Sequence, residues 1–522
     1  MTQFHLRLRA LGPGLLRGLR RGIEKESLRV SPEGMLADTP HPSRLGSALT
    51  HPHITTDYSE AQLELITGVH ARIEDCLEEL TAIHQFVYRR IGEEALWAPS
   101  MPCTLPDDDA IPIGRYGNSN IGRAKTVYRI GLAHRYGRRM QTISGLHYNF
   151  SLPEAAWDAL GWLGGANAGY FALQRNFRRH SWLLLYLFGA SPAVCSTFVE
   201  GREHDLDELR PGVLYRPAGT SLRMGRLGYQ SSAQSSLMVS YNSLDSYADS
   251  LHEALTRPYP AYEAIGIRGP HGEYRQLATS LLQIENEFYS TIRPKRIIRP
   301  LERPLHALRE RGVEYVEVRL MDLDPYSPIG IRADTMRFLD MFLLHCLLSD
   351  SPPDTPEEVA SWGRNQHRVA ARGRDHSLLL ERNSEQITLP EWGAQVLVGY
   401  EPIAAALDAA HGAHAYRDAL AAAIAALAEP ESVPSARVLR EIRTRYAGSY
   451  VQFALARSLE HRDALRRLPL AAATEARFAK MAEESLAKQR ATEAADDVDF
   501  ETFRLRYVSA EQLSPLTSTA GS

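Results

Sequence analysis

Carboxylates set into apolar runs constrain this chain more than any other feature. Between residues 51 and 67 it reads HPHITTDYSEAQLELIT, and Asp57, Glu60 and Glu64 interrupt a set built to bury: Ile54, Tyr58, Leu63, Leu65 and Ile66. An ionised carboxylate in a core is costly unless something neutralises it. The rest of the chain must therefore bring a compensating group to these acids or aim them into a cavity.

Four alternating segments point to the cavity. In RGIEKESLRV (21–30), Gly22, Glu24, Glu26 and Leu28 share one face of a predicted strand. In SGLHYNFSL (144–152), His147, Asn149 and Ser151 face one way. LLQIENEFY (281–289) places Gln283, Glu285, Glu287 and Tyr289 together, and VEYVEVRL (313–320) does so for Tyr315, Glu317 and Arg319. A period of two puts residues i and i+2 on one side of a sheet. Each segment alone has an ordinary explanation: a solvated strand, a structural histidine, a sheet edge, a surface ion pair of little worth. Paired in one sheet, they gather several carboxylates, an imidazole and a guanidinium on one face, with Asp57 and Glu64 aimed into the same space.

That much negative charge repels itself unless cations sit in it. Oxygen donors with one imidazole suit Mg²⁺ or Mn²⁺ better than zinc. Divalent cations in a carboxylate-lined cavity suit phosphate chemistry on ATP. RPKR (293–296) follows the Glu-rich segment and offers Arg293, Lys295 and Arg296 to phosphate.

Composition narrows the alternatives. The 522 residues carry a net charge of -4, which argues against a nucleic-acid-binding protein. Basic residues are overwhelmingly Arg, with Lys only at 25, 125, 295, 480 and 488. Cys76, Cys103, Cys195 and Cys346 form no CxxC pair, which fits free buried thiols in a reducing compartment. The basic N-terminus lacks an apolar stretch and a cleavage site, so no signal peptide is expected. The most apolar segment, 181–199, is broken by Gly189, Ser191 and Pro192 and reads as core rather than a membrane span. These features predict a soluble, cytoplasmic protein. No G-x-G-x-x-G follows a strand, and GNSNIGRAK (117–125) matches a P-loop only loosely.

From about residue 335 the pattern is helical. Thr355, Pro356 and Glu358 read as N-cap, first helical residue and capping-box partner. The Ala-rich run 401–430 reads as two helices split near Gly412. Strand runs with interspersed helices and no βαβ rhythm predict an α+β fold with a mainly antiparallel sheet. The expected organisation is a catalytic sheet-and-helix core over 1–345, a dependent helical layer over 346–510, and a disordered tail over 511–522.

The segments RGIEKESLRV, LGSALTHPHITTDYSEAQLELIT, SMPC, YGNSNIGRAKTVYRIGLAHRYGRRMQTISGLHYNFSLP, YLFGASPAVCS, TSLRMGRLGY, LQIENEFYSTIRPKR, GVEYVEVRLMDLDPYSPIG and SARVLR resemble, in order, those of the proteobacterial glutamate–cysteine ligase family. The resemblance implies a six-stranded, mainly antiparallel sheet forming a funnel covered by helices, similar to the catalytic fold of glutamine synthetase. It implies ATP-dependent joining of the L-glutamate γ-carboxylate to the amine of L-cysteine through a γ-glutamyl phosphate, the first step of glutathione biosynthesis. By the same resemblance, Glu24, Glu26, Asp57, Glu64, His147 and Glu317 hold metal. Tyr58, Tyr128, Gln141, Tyr229 and Tyr289 line the cysteine pocket, and Arg223 and Arg319 contact substrate and the transferred phosphoryl group. Tyr58 stands where relatives often carry Phe, so its hydroxyl needs a partner. Arg319, Arg223 and Lys295 are the catalytic candidates, and Arg293 and Arg296 the nucleotide-phosphate ones. GRYGNSNIGRAK is a candidate closing loop. Family habit implies a monomer with glutathione feedback. A ligase of the same fold using another amine, or a non-catalytic sensor, are the competing readings.

Overall fold

The computed structural model describes residues 2–102, 104–228, 233–234 and 237–514. Its strands are β1 (Arg20–Val30), β2 (Ile54–Thr56), β3 (Gln62–Ile66), β4 (Ala95–Leu96), β5 (Leu146–Ser151), β6 (Ala193–Cys195), β7 (Asp207–Arg210), β8 (Val213–Tyr215), β9 (Ile292–Lys295), β10 (Tyr315–Met321), β11 (Leu379–Arg382) and β12 (Glu385–Thr388). The main sheet runs β2-β3-β1-β5-β10-β9, with the short β4 pairing to the end of β1. Every pairing in it is antiparallel. The expected six-stranded path is thus present, with a seventh short strand beside it.

The apolar face of this sheet packs on helices. Ile23, Leu65, Tyr148, Phe150, Val316 and Val318 share one core with the helices Ile73–Tyr88, Gly165–His180 and Ala333–Leu348. Cores of this kind gain roughly 25 cal/mol per Å² of apolar surface removed from water. The same core continues through Ile403, Leu407, Leu420 and Leu427 of the helical half.

Several expectations need correction. Residues 281–289 form no strand; Glu285–Glu287 is a short 3₁₀ turn. The reason lies in the acids themselves. Glu285 accepts from Arg303 (2.7 and 2.9 Å) and from the Leu305 amide, while Glu287 accepts from Arg135, Tyr136 and the Gln283 amide. These bonds satisfy a turn where a ladder would have satisfied a strand. The helical half contains a hairpin, β11–β12. Thr355 does cap its helix at the Glu358 amide, but the Glu358 carboxylate pairs with Arg179 rather than closing a box. GRYGNSNIGRAK is helical from Asn120 onward, and its preceding loop is tied to Glu493 and Asp496. The tail expected to be disordered from 511 begins with a 3₁₀ turn, Ala510–Leu513, whose Leu513 is buried; 515–522 lie outside the described residues. The split at Gly412 is as expected, with that glycine left-handed at φ 70°. Cys76, Cys195 and Cys346 are buried free thiols, and Cys103 is outside the described residues.

Candidate active site

Register assembles the polar face. Glu24 lies opposite His147, Glu26 opposite Glu64, Glu317 opposite Asn149 on one side and opposite Arg293 on the other. Directly opposed residues in an antiparallel pair project to the same face. Alternation then adds Lys295, which faces Tyr315, and Arg319.

The imidazole of His147 sits at the centre. Its Nδ1 lies 3.2 Å from Glu24 and 3.6 Å from Glu317, and its Nε2 lies 3.6 Å from Glu26. Two donor sets result, Glu24–His147–Glu317 and Glu26–Glu64–His147, each with atoms within 4.8 Å of one another. Asn149 donates to Glu24 (2.9 Å) and the Gly145 amide to Glu26 (2.6 Å), which fixes both carboxylates. Arg319 and Lys295 stand 3.3 and 3.4 Å from the same oxygen of Glu317.

The charges sort along the sheet. Burial opposes ionisation of Glu317, but Lys295, Arg319 and His147 hold its carboxyl well below the usual range. Burial likewise works against Glu24, but the hydrogen bond from His147, together with the charges of Lys295 and His147, holds its carboxyl below the usual range. At the other end, burial and the neighbouring acids Glu24, Asp57 and Glu26 push Glu64 well up. Burial and Asp57 raise Glu26 as well.

The face opens into a cavity of about 1120 Å³. Glu24, Glu26, Asp57, Glu64, His147 and Glu317 all line it, as do Tyr58, Tyr128, Gln141 and Tyr289. Gln141 donates to the Tyr289 hydroxyl at 2.9 Å. The Tyr58 ring is buried, but its hydroxyl has no hydrogen-bond partner among the described residues. Arg223, Arg293, Lys295 and Arg319 also reach the wall. Arg223 donates to the Arg319 carbonyl (2.7 Å), and Arg293 to the carbonyls of Asn286 and Phe288. Arg296 does not join them: it caps the Arg311 carbonyl and pairs with Glu314, outside the cavity wall. It follows Lys295 by one residue, so alternation turns it to the side opposite Arg293 and Lys295. Tyr229 lies outside the described residues.

Two residues contribute beyond the expected metal, pocket and phosphate sets. Asn149 sits two residues from His147 on its face, a signal that alternation carried. Asp322 accepts from Ser191 (2.6 Å), the Ala190 amide (2.9 Å) and Ser221 (3.0 Å), and so anchors the loop that presents Arg223. Nothing in the sequence marks that role.

The glutamate–cysteine ligase family model matches residues 9–369. The chain belongs to the glutamate–cysteine ligase family. It is 48% identical over 517 residues to the glutamate–cysteine ligase of Alcanivorax borkumensis, covering 97% of this chain and 98% of that one. It is 51% identical over 501 residues to that of Pseudomonas paraeruginosa, covering 94% of each. Among solved structures, the glutamate–cysteine ligase of Francisella tularensis in complex with AMP superposes with a TM-score of 0.90 at 35% identity, covering 95% and 98% of the two chains. A bifunctional glutathione synthetase from Pasteurella multocida gives a TM-score of 0.71 at 27% identity over 92% of this chain and 58% of that one.

Proposed function

We propose that this glutamate–cysteine ligase works on the polar face of its sheet, with the acids as a cradle for divalent cations. The chain joins L-glutamate to L-cysteine with cleavage of ATP to ADP and phosphate, the entry step of glutathione biosynthesis. The observation that carries the site assignment is the convergence of Glu24, Glu26, Glu64 and Glu317 on His147.

The donor set fits Mg²⁺ or Mn²⁺. Glu317 Oε2 and Asn149 Oδ1 are buried oxygens without a hydrogen-bond partner among the described residues. Glu64 and Glu26 are pushed towards their neutral forms without a cation beside them. Hard oxygen donors of this kind match hard cations. A neutral imidazole has one lone pair, so His147 would ligate in one set and donate to a carboxylate of the other. A divalent cation held there would neutralise the triphosphate and orient it for in-line transfer.

The chain's own groups do the rest. Arg319 and Lys295 stand where negative charge develops as the γ-phosphoryl group passes to the glutamate γ-carboxylate, releasing ADP. Arg223, held by the Arg319 carbonyl, contacts substrate beside them. Arg293 shapes the phosphate end through the turn it braces. The cysteine amine, lodged by Tyr58, Tyr128, Gln141 and Tyr289, then attacks the acyl phosphate and expels phosphate, losing one proton. The wall excludes water that would otherwise hydrolyse that intermediate. The protein acts in the cytoplasm as a monomer, and glutathione, which contains the product dipeptide, inhibits it. The helical layer over 346–510 belongs to the same cooperative unit as the core.

Glutamate- and cysteine-dependent ADP release tests the assignment. Glu24→Gln removes a charge from the cradle and should cut turnover by about 100-fold or more while the melting curve keeps its shape. Undiminished turnover would remove Glu24 from the site. A panel of amines in place of cysteine tests the acceptor; stimulation by another amine and none by cysteine would overturn the proposed product.

A further inference from the structure

The sequence sets Glu287 on one face with Glu285 and Tyr289. In the fold, Glu287 lies behind the cavity wall, and so does Tyr136 at the end of the helix Asn120–Tyr136. Neither reaches the space where substrates are placed. What they hold is Tyr289.

Tyr289 falls between the turn Glu285–Glu287 and β9, so no strand ladder fixes it. Its amide donates instead to a side chain, the carboxamide oxygen of Gln234, at 3.1 Å. Its ring meets the Tyr136 ring edge-on, with centroids 5.6 Å apart and planes at 66°. Its hydroxyl accepts from Gln141 at 2.9 Å. Backbone and ring of this wall residue therefore lean on two neighbours, Gln234 and Tyr136.

One hydroxyl joins those neighbours. Tyr136 Oη donates to Glu287 Oε1 at 2.7 Å and accepts from Gln234 Nε2 at 3.1 Å. Gln234 Nε2 also donates to the Glu287 carbonyl at 2.9 Å. The carboxamide is thus oriented with its nitrogen towards the Glu287 turn and its oxygen towards the Tyr289 amide. The far end is anchored. Glu287 takes Arg135 on the same oxygen (2.8 Å) and the Gln283 amide on the other (2.7 Å), and the Arg135 and Glu287 side chains are fully buried. Burial and the Glu287 charge keep the phenol protonated, hence able to donate. A hydrogen bond to a carboxylate is about twice as strong as a neutral one, which makes this a stiff mount.

We propose that Tyr136 is a positioning residue for the amine substrate: its hydroxyl locks Gln234 and its ring steadies Tyr289 in the wall that receives cysteine. The inference rests on the ligase reading above and on the place of Tyr289 in the cysteine pocket. Losing one charge-assisted hydrogen bond of this kind corresponds to about tenfold in affinity.

Tyr136→Phe tests it on the full chain. The substitution keeps the ring and leaves Glu287 its bonds from Arg135 and the Gln283 amide, so the turn braced by Arg293 persists. The KM for cysteine should rise about tenfold, with kcat and the KM values for ATP and glutamate unmoved. In a Tyr289→Ala background the same substitution should add little, because the group it positions is gone. An unchanged KM for cysteine, an equal rise for all three substrates, or an undiminished effect beside Tyr289→Ala would overturn the proposal. If Tyr136→Phe does not fold, Gln234→Met severs the same link from the other side; a KM for cysteine unmoved by it overturns the proposal as well. Failure of the underlying reading looks different. It would show as an unmodified chain whose ADP release does not respond to cysteine, or as a Tyr289→Ala variant with an unaltered KM for cysteine, and either result would take this proposal with it.

Discussion

At the scale of single residues, the site depends on groups that never touch a substrate. Gly145 precedes β5, gives its amide to Glu26 and leaves no room above its α-carbon, where the Arg223 guanidinium lies. An added methyl group would collide with that guanidinium rather than with backbone. Gly145→Ala should therefore push Arg223 out of place and lower kcat/KM at least tenfold, since small misplacements of a positioned group are costly in rate. Circular dichroism should show an unchanged fold. A fully active Gly145→Ala would detach the position of Arg223 from catalysis. Glu285 and Glu287 teach the converse. Their spacing resembled a metal face, yet each is consumed by a buried arginine.

At the scale of elements, β1 is the strand on which both faces matter. Its polar side supplies Glu24 and Glu26, while its other side carries Arg21, Ile23 and Lys25 into the core. Lys25 donates to Ser27 (2.7 Å) and meets His84 Nε2 at 3.1 Å. Arg21 forms a bidentate pair with Asp340 of the helix Ala333–Leu348, at 2.6 to 3.0 Å, and both side chains are fully buried. Tyr148 of β5 and Tyr416 of the helix Ala415–Ala428 donate to the same carboxylate. One buried acid thus joins two site strands to two helices. Removing it strands a buried guanidinium, so Asp340→Ala should cost about 3–5 kcal/mol in urea unfolding. A loss below about 1 kcal/mol would mean that the network relaxes or admits water.

At the scale of the whole molecule, the helical half is stitched to the site. The helix Ala472–Ala494 holds the loops before β2 and before Asn120 through Ser485, Gln489, Glu493 and its neighbour Asp496. Tyr507 of the last helix gives its carbonyl to Arg303, which in turn holds Glu285. The fold also holds half-buried histidines neutral. Burial lowers His41 and His345 to about 4 and His180 to about 3. The unfolded chain, with histidines near 6.5, binds more protons than the native state below that pH. Stability is therefore full above about pH 6.5 and falls as pH drops towards 4, by up to about 1.4 kcal/mol per unit for each such histidine. Urea midpoints between pH 7.5 and 5.0 should show this slope, and His345→Gln should flatten it. Parallel profiles for the two proteins would mean that His345 titrates alike in both states.

The sequence by itself determined much of the polar face of the sheet. Alternation at period two identified Glu24 with Glu26, His147 with Asn149, and Glu317 with Arg319, because strand geometry is local and repeats every second residue. Family resemblance added the chemistry and the expected roles of residues that line the cavity. Capping and glycine signals located the helices at Pro356 and around Gly412 for the same local reason. What lay beyond reach depends on partners remote in the chain. Glu285 and Glu287 became structural only because Arg303 and Arg135 arrive from elsewhere. The Tyr58 hydroxyl found no partner among the described residues, and Asp322 acquired its role from Ser191 and Ser221. Register is the deciding quantity: side-chain period fixes which residues share a face of one strand, but only the folded sheet fixes which strands lie side by side. That long-range pairing brings four carboxylates to a single imidazole.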